Sequence, residues 1–319
     1  MLFDRALVKE RAADLAAKGI FIGASSWKYR GWNGMLYDEA RYVWRGKFAQ
    51  SRFERSCLGE YAEVFKTVCV DAAYYAFPSV QYLEGLASQA PADFQFGFKV
   101  TDEITVKRFP NLPRFGRRAG QANEHFLNAE VFERGFLKPC EAIRPQVGLL
   151  IFEFSRFYPA DYEQGRDFVS VLDSFLTQLP KGWPYGIEMR NQHWLEAEYF
   201  QCLARHHTTH VFNSWTEMPP VGGQMALPGS RTNPELVAAR FLLKPGRKYE
   251  EAVKSFQPYD KTKEVNEEAR KAGAALIAEG KTSPKRKTFI FVNNRLEGNA
   301  LETIQGMLEI SAKALDKTA

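Results

Sequence analysis

Residues Tyr185–Trp194, Y-G-I-E-M-R-N-Q-H-W, put a carboxylate and a guanidinium two positions apart at the end of an apolar run. Alternate side chains of a strand share a face, so Gly186, Glu188 and Arg190 point one way and Tyr185, Ile187 and Met189 the other. Opposite charges on one buried face are costly unless they pair. The stretch reads as a structural ion pair or as part of a functional site.

Other short apolar runs end in similar chemistry. Asp71, Lys99, Glu153 and Asn213 each close one, Arg240 and Lys244 lie on another, and Asn293 and Asn294 finish the last. Glu153 and Glu188 could divide acid and base roles, their pKa values pushed apart by mutual repulsion and by Arg190. Two such carboxylates would also suit glycoside hydrolysis. Lys99 could form a Schiff base or hold an anion. No cofactor is expected, with Mg²⁺ or Mn²⁺ at Asp71, Glu153 and Glu188 as the alternative. Lys99, Arg190, Arg240 and Lys244 together favour a phosphate or carboxylate ligand.

Histidine adds little. His206 and His207 are adjacent, His210 begins a strand, and only His193 lies beside the charged motif. With no H-x-x-x-H or H-x-H and no short cysteine spacing, a zinc centre is not expected. Walker, nucleophile-elbow and G-x-G-x-x-G motifs are missing from the sequence.

Three loop-like stretches carry aromatic and basic residues. Gly23–Gly34 offers Trp27, Tyr29 and Trp32 with Lys28 and Arg30, a composition that can stack a sugar or base. Tyr74–Ser79 adds Tyr75. Lys107–Arg118, K-R-F-P-N-L-P-R-F-G-R-R, reads as a solvated lid, with nucleic-acid contact as the sharper alternative.

Eight strands would position these groups: Ile20–Ala24, Phe65–Asp71, Phe94–Val100, Val147–Phe154, Tyr185–Arg190, His210–Trp215, Ala238–Lys244 and Thr288–Asn294. Amphipathic segments separate them, at Ser51–Val64, Ser79–Gln89, Gln121–Ile143, Gly165–Leu179, Glu196–Arg205 and Asp260–Glu279. Alternation of this kind implies parallel βαβ units, and eight units favour a closed α/β TIM-type (β/α)8 barrel. A single domain over 1–319 is expected, with a helix at Phe3–Lys18 closing the bottom and the barrel over about 20–315. The longest irregular stretches follow strands one, three, six and seven, the side where barrel enzymes keep their loops. The stretch after strand three is a lid-like insertion.

At 319 residues, with 45% hydrophobic and 25% charged, the composition is that of a globular chain with a sizeable core. A net charge of +5 permits anionic partners without demanding them. Four scattered cysteines read as reduced, buried thiols. The N-terminus shows neither a signal peptide nor a membrane span, so a cytoplasmic location is expected.

Together these motifs resemble the YecE-like family, domain of unknown function 72, whose members adopt a TIM-barrel-like fold. G-A-S-S-W-K-Y-R-G-W at Gly23–Trp32 is similar to the family's opening motif. T-V-C-V-D-A-A-Y-Y-A-F-P at Thr67–Pro78, F-G-F-K at Phe96–Lys99 and I-E-M-R-N-Q-H-W at Ile187–Trp194 follow in the family's order. V-N-N at Val292–Asn294 and G-N-A at Gly298–Ala300 complete the set. Departures exist: Cys69 and Asp71 replace a Glu and an Asn, and Glu153-Phe154-Ser155 replaces Q-x-P. Leu242 and Leu243 stand where a His and a Gly fall.

The resemblance implies a fold and no particular reaction. The leading expectation is an enzyme, a hydrolase, lyase or isomerase, for a polar or anionic small molecule. Glu188, Arg190, Lys99, Glu153 and Asp71 would do the chemistry. Trp27, Tyr29, Trp32, Tyr75, Asn213, Arg240, Asn293 and Asn294 would hold the substrate. The alternatives are a nucleic-acid-binding or -processing barrel, which is not favoured, and a non-catalytic ligand-binding or scaffold protein.

Overall fold

The computed structural model describes residues 3–315. Eight parallel strands close a barrel: β1 (Ile20–Ala24), β2 (Thr67–Val70), β3 (Gln95–Lys99), β4 (Val147–Phe154), β5 (Tyr185–Met189), β6 (Thr209–Ser214), β7 (Leu236–Phe241) and β8 (Lys287–Val292). Each pairs with its neighbours in sequence, and β8 returns to β1. The strands are rich in Val, Ile and Phe and buried on both faces, as a parallel sheet wrapped by helices requires.

The register sorts inward-pointing residues into levels of four, one from every second strand. The upper level is Asp71, Glu153, Asn213 and Asn293; next come Ser25, Lys99, Glu188 and Arg240. Beneath them lie Cys69, Ile151, Val211 and Phe291, in the apolar interior cluster. A further level holds the small residues Gly23, Gly97, Gly186 and Ala238. A Cβ on Gly97 would stand 2.7 Å from the Phe291 ring. The interior is thus apolar below and ionic at the carboxyl ends.

A helix at Arg5–Ala16, capped by Asp4, brings Ala16 against the interior cluster that includes Phe21, Leu149, Leu236 and Phe289. It closes the lower end, as the sequence predicts. The long loop after β1 contains a small hairpin, Val43–Trp44 with Lys47–Phe48. Its turn residues Arg45 and Gly46 both have positive φ, the geometry of a tight hairpin turn.

Three expectations about helices need correction. Gln121–Ile143 is not one helix. A single turn at Ala129–Phe132 widens into a π-helical turn at Glu133–Leu137 before Pro139, which has no N–H to continue the ladder. Asp260–Glu279 becomes helical only at Glu267. Lys263 and Asn266 donate backbone N–H groups to Glu297 instead, and Asn266 caps the helix through Ala269. The irregular stretch expected after strand seven holds a helix at Tyr249–Phe256. The outer layer ends with a helix at Ala300–Leu315 that the strand-and-helix pattern did not reveal. No helix among the described residues is long and apolar enough to cross a membrane.

Candidate functional site at the barrel mouth

Strand ends deliver three carboxylates and three cations to one place. Glu153 Oε2 lies 2.6 Å from Lys99 Nζ, 2.8 Å from Arg190 Nη2 and 3.1 Å from Arg240 Nη1. Glu188 takes Arg190 on one oxygen at 2.9 Å and Arg240 on the other at 2.6 Å. Arg240 extends to Asp71 at 3.2 Å. The formal charges of the six groups cancel, so the cluster buries its ions in pairs and not as isolated charges.

Burial alone would raise the Glu153 pKa. Arg190, Lys99 and Arg240 outweigh it and hold the carboxyl well below the usual range. Burial opposes the Arg240 charge too, but Glu188 and the other acids keep that guanidinium firmly protonated. Glu153 therefore cannot serve as a proton donor near neutrality. Both oxygens of Glu188 are committed to guanidinium groups. Glu153 meets its three cations through Oε2, and Asp71 meets Arg240 through Oδ1.

Exposure separates the acids. The Asp71 side chain is 36% exposed, against 2% for Glu153 and none for Glu188. Lys99 and Arg190 lie at the solvent edge, 12% and 10% exposed. Each rests on an aromatic ring: Lys99 Nζ is 3.5 Å from the Tyr74 centroid and Arg190 Cζ 3.8 Å from that of Trp215. Arg114, from the insertion after β3, leans over exposed Tyr75 at 5.0 Å and pairs with Asp102 at 2.7 Å. A cavity of about 550 Å³ opens beside Arg190, lined by Arg156, Tyr158, Tyr162, His193 and Glu217 among others. In the two upper levels, Ser25 Oγ, Asn213 Oδ1 and Arg240 Nε are buried without a hydrogen-bond partner.

Several residues singled out in the sequence turn out to be packing residues. Trp32 is fully buried, near-parallel to Tyr37 and Tyr61, and its indole N–H donates to Asn294 Oδ1 at 3.3 Å. Asn294 also accepts from the backbone N–H of Ala300 at 2.7 Å, so it anchors the last helix. Trp27 is buried, and its carbonyl accepts from the Tyr37 hydroxyl. Asn293 accepts from the Arg295 N–H and sits in the upper level. Lys244 lies beyond the end of β7, exposed, and pairs with Glu264 at 2.7 Å. Tyr29 reaches the rim beside Tyr259, and burial pushes its hydroxyl up to about 12.

The basic insertion is largely tied to the protein itself. Arg118 pairs with Glu103, while Lys107 and Arg108 donate to the carbonyls of Asp161 and Gly120. Tyr74 lies in the aromatic stretch flagged after strand two, whereas Trp215, Arg114 and Ser25 were not singled out from the sequence. A Trp directly after β6 is the signal that could have found Trp215.

A closed parallel barrel with a charged cluster at its carboxyl-terminal mouth places this protein among the TIM-type α/β barrels. The chain belongs to the DUF72 family: the model described as "Protein of unknown function DUF72" matches residues 21–318. It is similar to the DUF72 family protein EF0366 of Enterococcus faecalis V583, with TM-score 0.64 and 20% identity over 92% of this chain and 95% of that one. It is also similar to TM1631 of Thermotoga maritima MSB8, with TM-score 0.57 and 20% identity over 93% and 99%. At that identity the likeness speaks for the fold. No curated protein matches the sequence.

Proposed function

We propose that this barrel is an enzyme acting on a small anionic molecule at its carboxyl-terminal mouth. One observation carries the reading: Lys99 and Arg190 sit on aromatic rings at the solvent edge of a buried, self-neutralised ion cluster, and a cavity opens beside Arg190. Cations held this way are oriented in advance and partly desolvated, which strengthens their hold on an incoming anion.

The role of each acid follows from its access. Glu188 and Glu153 orient Arg190, Lys99 and Arg240. Asp71, the exposed acid, is the proton-transfer group. Tyr75 and Trp215 flank the ligand. The nucleic-acid reading gains nothing, because most cations of the insertion already have partners in the chain.

A panel of phosphorylated and carboxylated small molecules, screened by calorimetry and turnover, tests the proposal. With a matched substrate, Asp71→Asn should lower kcat by roughly 10²–10⁴-fold and leave affinity nearly unchanged. Lys99→Gln should mainly weaken binding. Full turnover in Asp71→Asn would remove the assignment.

A further inference from the structure

We propose that Asp173, Cys202 and His206 form a binding site for a divalent transition metal of the zinc class on the outer helical layer, away from the barrel mouth. Asp173 lies on the helix Gly165–Gln178, which precedes β5. Cys202 lies on the helix Ala197–Arg205, which follows β5, and His206 is that helix's C-cap. Four residues apart, Cys202 and His206 share one face of the helix end and turn toward Asp173.

The three donor atoms lie within 4.8 Å of one another. Asp173 Oδ1 is 2.9 Å from His206 Nε2 and 3.6 Å from Cys202 Sγ. Ligands at about 2.0–2.3 Å from a tetrahedral zinc stand about 3–4 Å apart, so the donors need little movement to close on an ion. One sulfur, one imidazole and one carboxylate suit zinc or cobalt better than magnesium or calcium. Cys202 is fully buried, His206 13% exposed and Asp173 39% exposed, so the trio opens to solvent on the Asp173 side. A water can complete the tetrahedron there.

Arg205 now shares the same Asp173 oxygen at 2.9 Å. Its side chain is 58% exposed, and a solvent-screened pair of this kind gives way readily. Binding replaces the Cys202 S–H bond with a metal–sulfur bond and releases one proton to solvent. A metal here would tie together the two helices that flank β5, the strand that carries Glu188 and leads into Arg190. The site is a staple for the scaffold, with no part in chemistry at the mouth.

Cobalt titration of the full chain, freed of metal by chelator, tests the site. One equivalent of Co²⁺ should bring up a thiolate-to-cobalt charge-transfer band that Zn²⁺ abolishes, and Zn²⁺ should raise Tm. Cys202→Ser should remove the band. Asp173→Asn and His206→Gln, at a half-exposed residue and at a helix C-cap, should keep the fold by circular dichroism. Each should weaken cobalt binding at least as much as the roughly 10–100-fold seen when outer partners of metal sites are lost. A spectrum without a thiolate band overturns the proposal, and so does cobalt affinity unchanged in folded Asp173→Asn and His206→Gln. The trio is then a polar contact between helices and nothing more.

Discussion

Glu188 Oε2 and Arg240 Nη1 meet at 2.6 Å, at the level where the barrel interior changes from apolar to ionic. Neither side chain is more than 3% exposed. Arg240 also pairs with Glu153, and of the two guanidiniums that bridge these carboxylates it is the more deeply buried. Arg240→Met should therefore destabilise the fold by about 3–5 kcal/mol, the range for stranding a buried charge. Arg240→Met combined with Glu188→Leu should recover part of that loss. Urea unfolding at pH 7 provides the measure. An unshifted midpoint in the single variant would mean that the cluster does not support the fold.

Acid dependence follows from Glu153. Its folded pKa lies below the ordinary value of 4.5, so its contribution to stability is fully present above that pH and is lost as pH falls through the folded value. Each ionised group of this kind adds a slope of up to about 1.4 kcal/mol per pH unit. Glu153→Gln should be less stable than wild type at pH 7 and show a shallower decline below about pH 4.5. Parallel curves for the two proteins would contradict the assignment.

His210 acts in a higher window. Burial lowers its folded pKa from 6.5 to about 3, so the folded protein holds it neutral where the unfolded chain takes up a proton. Stability should fall as pH drops from 6.5 toward 3, and His210→Phe should lack that part of the slope. The ring already sits among Tyr199, Phe200 and Phe212, so Phe suits the site. Denaturant midpoints taken across this range decide the matter.

Asn294 separates packing from binding. Asn294→Ala removes the acceptor for the Trp32 indole and for the Ala300 N–H, and should cost about 1–3 kcal/mol. Any ligand of the mouth should bind the variant as it binds wild type. Loss of affinity without loss of stability would return Asn294 to the ligand-contacting set.

The barrel was legible in the sequence because buried parallel strands leave apolar runs of the right length, and β1 and β4 keep the expected bounds. Glu188, Arg190, Lys99, Glu153, Asp71 and Arg240 converge because strand ends in such a barrel must converge. Pairing was not legible. Nothing in the local pattern says that Arg240 reaches across the barrel to Glu153, or that Trp32 turns inward onto Tyr61. The run Gln121–Ile143 has helical periodicity, but the helix begins only after Asn128, whose side chain accepts from the Val131 N–H, and Ile143 leaves helical geometry. The Cys202–His206 spacing escapes notice when only histidine pairs are sought, since its third partner comes from another helix.

The central claim is that Lys99 and Arg190 hold an anion at the mouth. Trp215, stacked on Arg190, is a built-in reporter. Its indole N–H resonance should shift saturably when inorganic phosphate or a small carboxylate is titrated into labelled protein. Arg190→Gln should weaken that response roughly tenfold or more, as loss of a charge-assisted hydrogen bond implies. Glu188 and Glu153 keep Arg240 in that variant, so the cluster is not left without a cation. A Trp215 signal that no anion moves, or that moves equally in both proteins, would contradict the account.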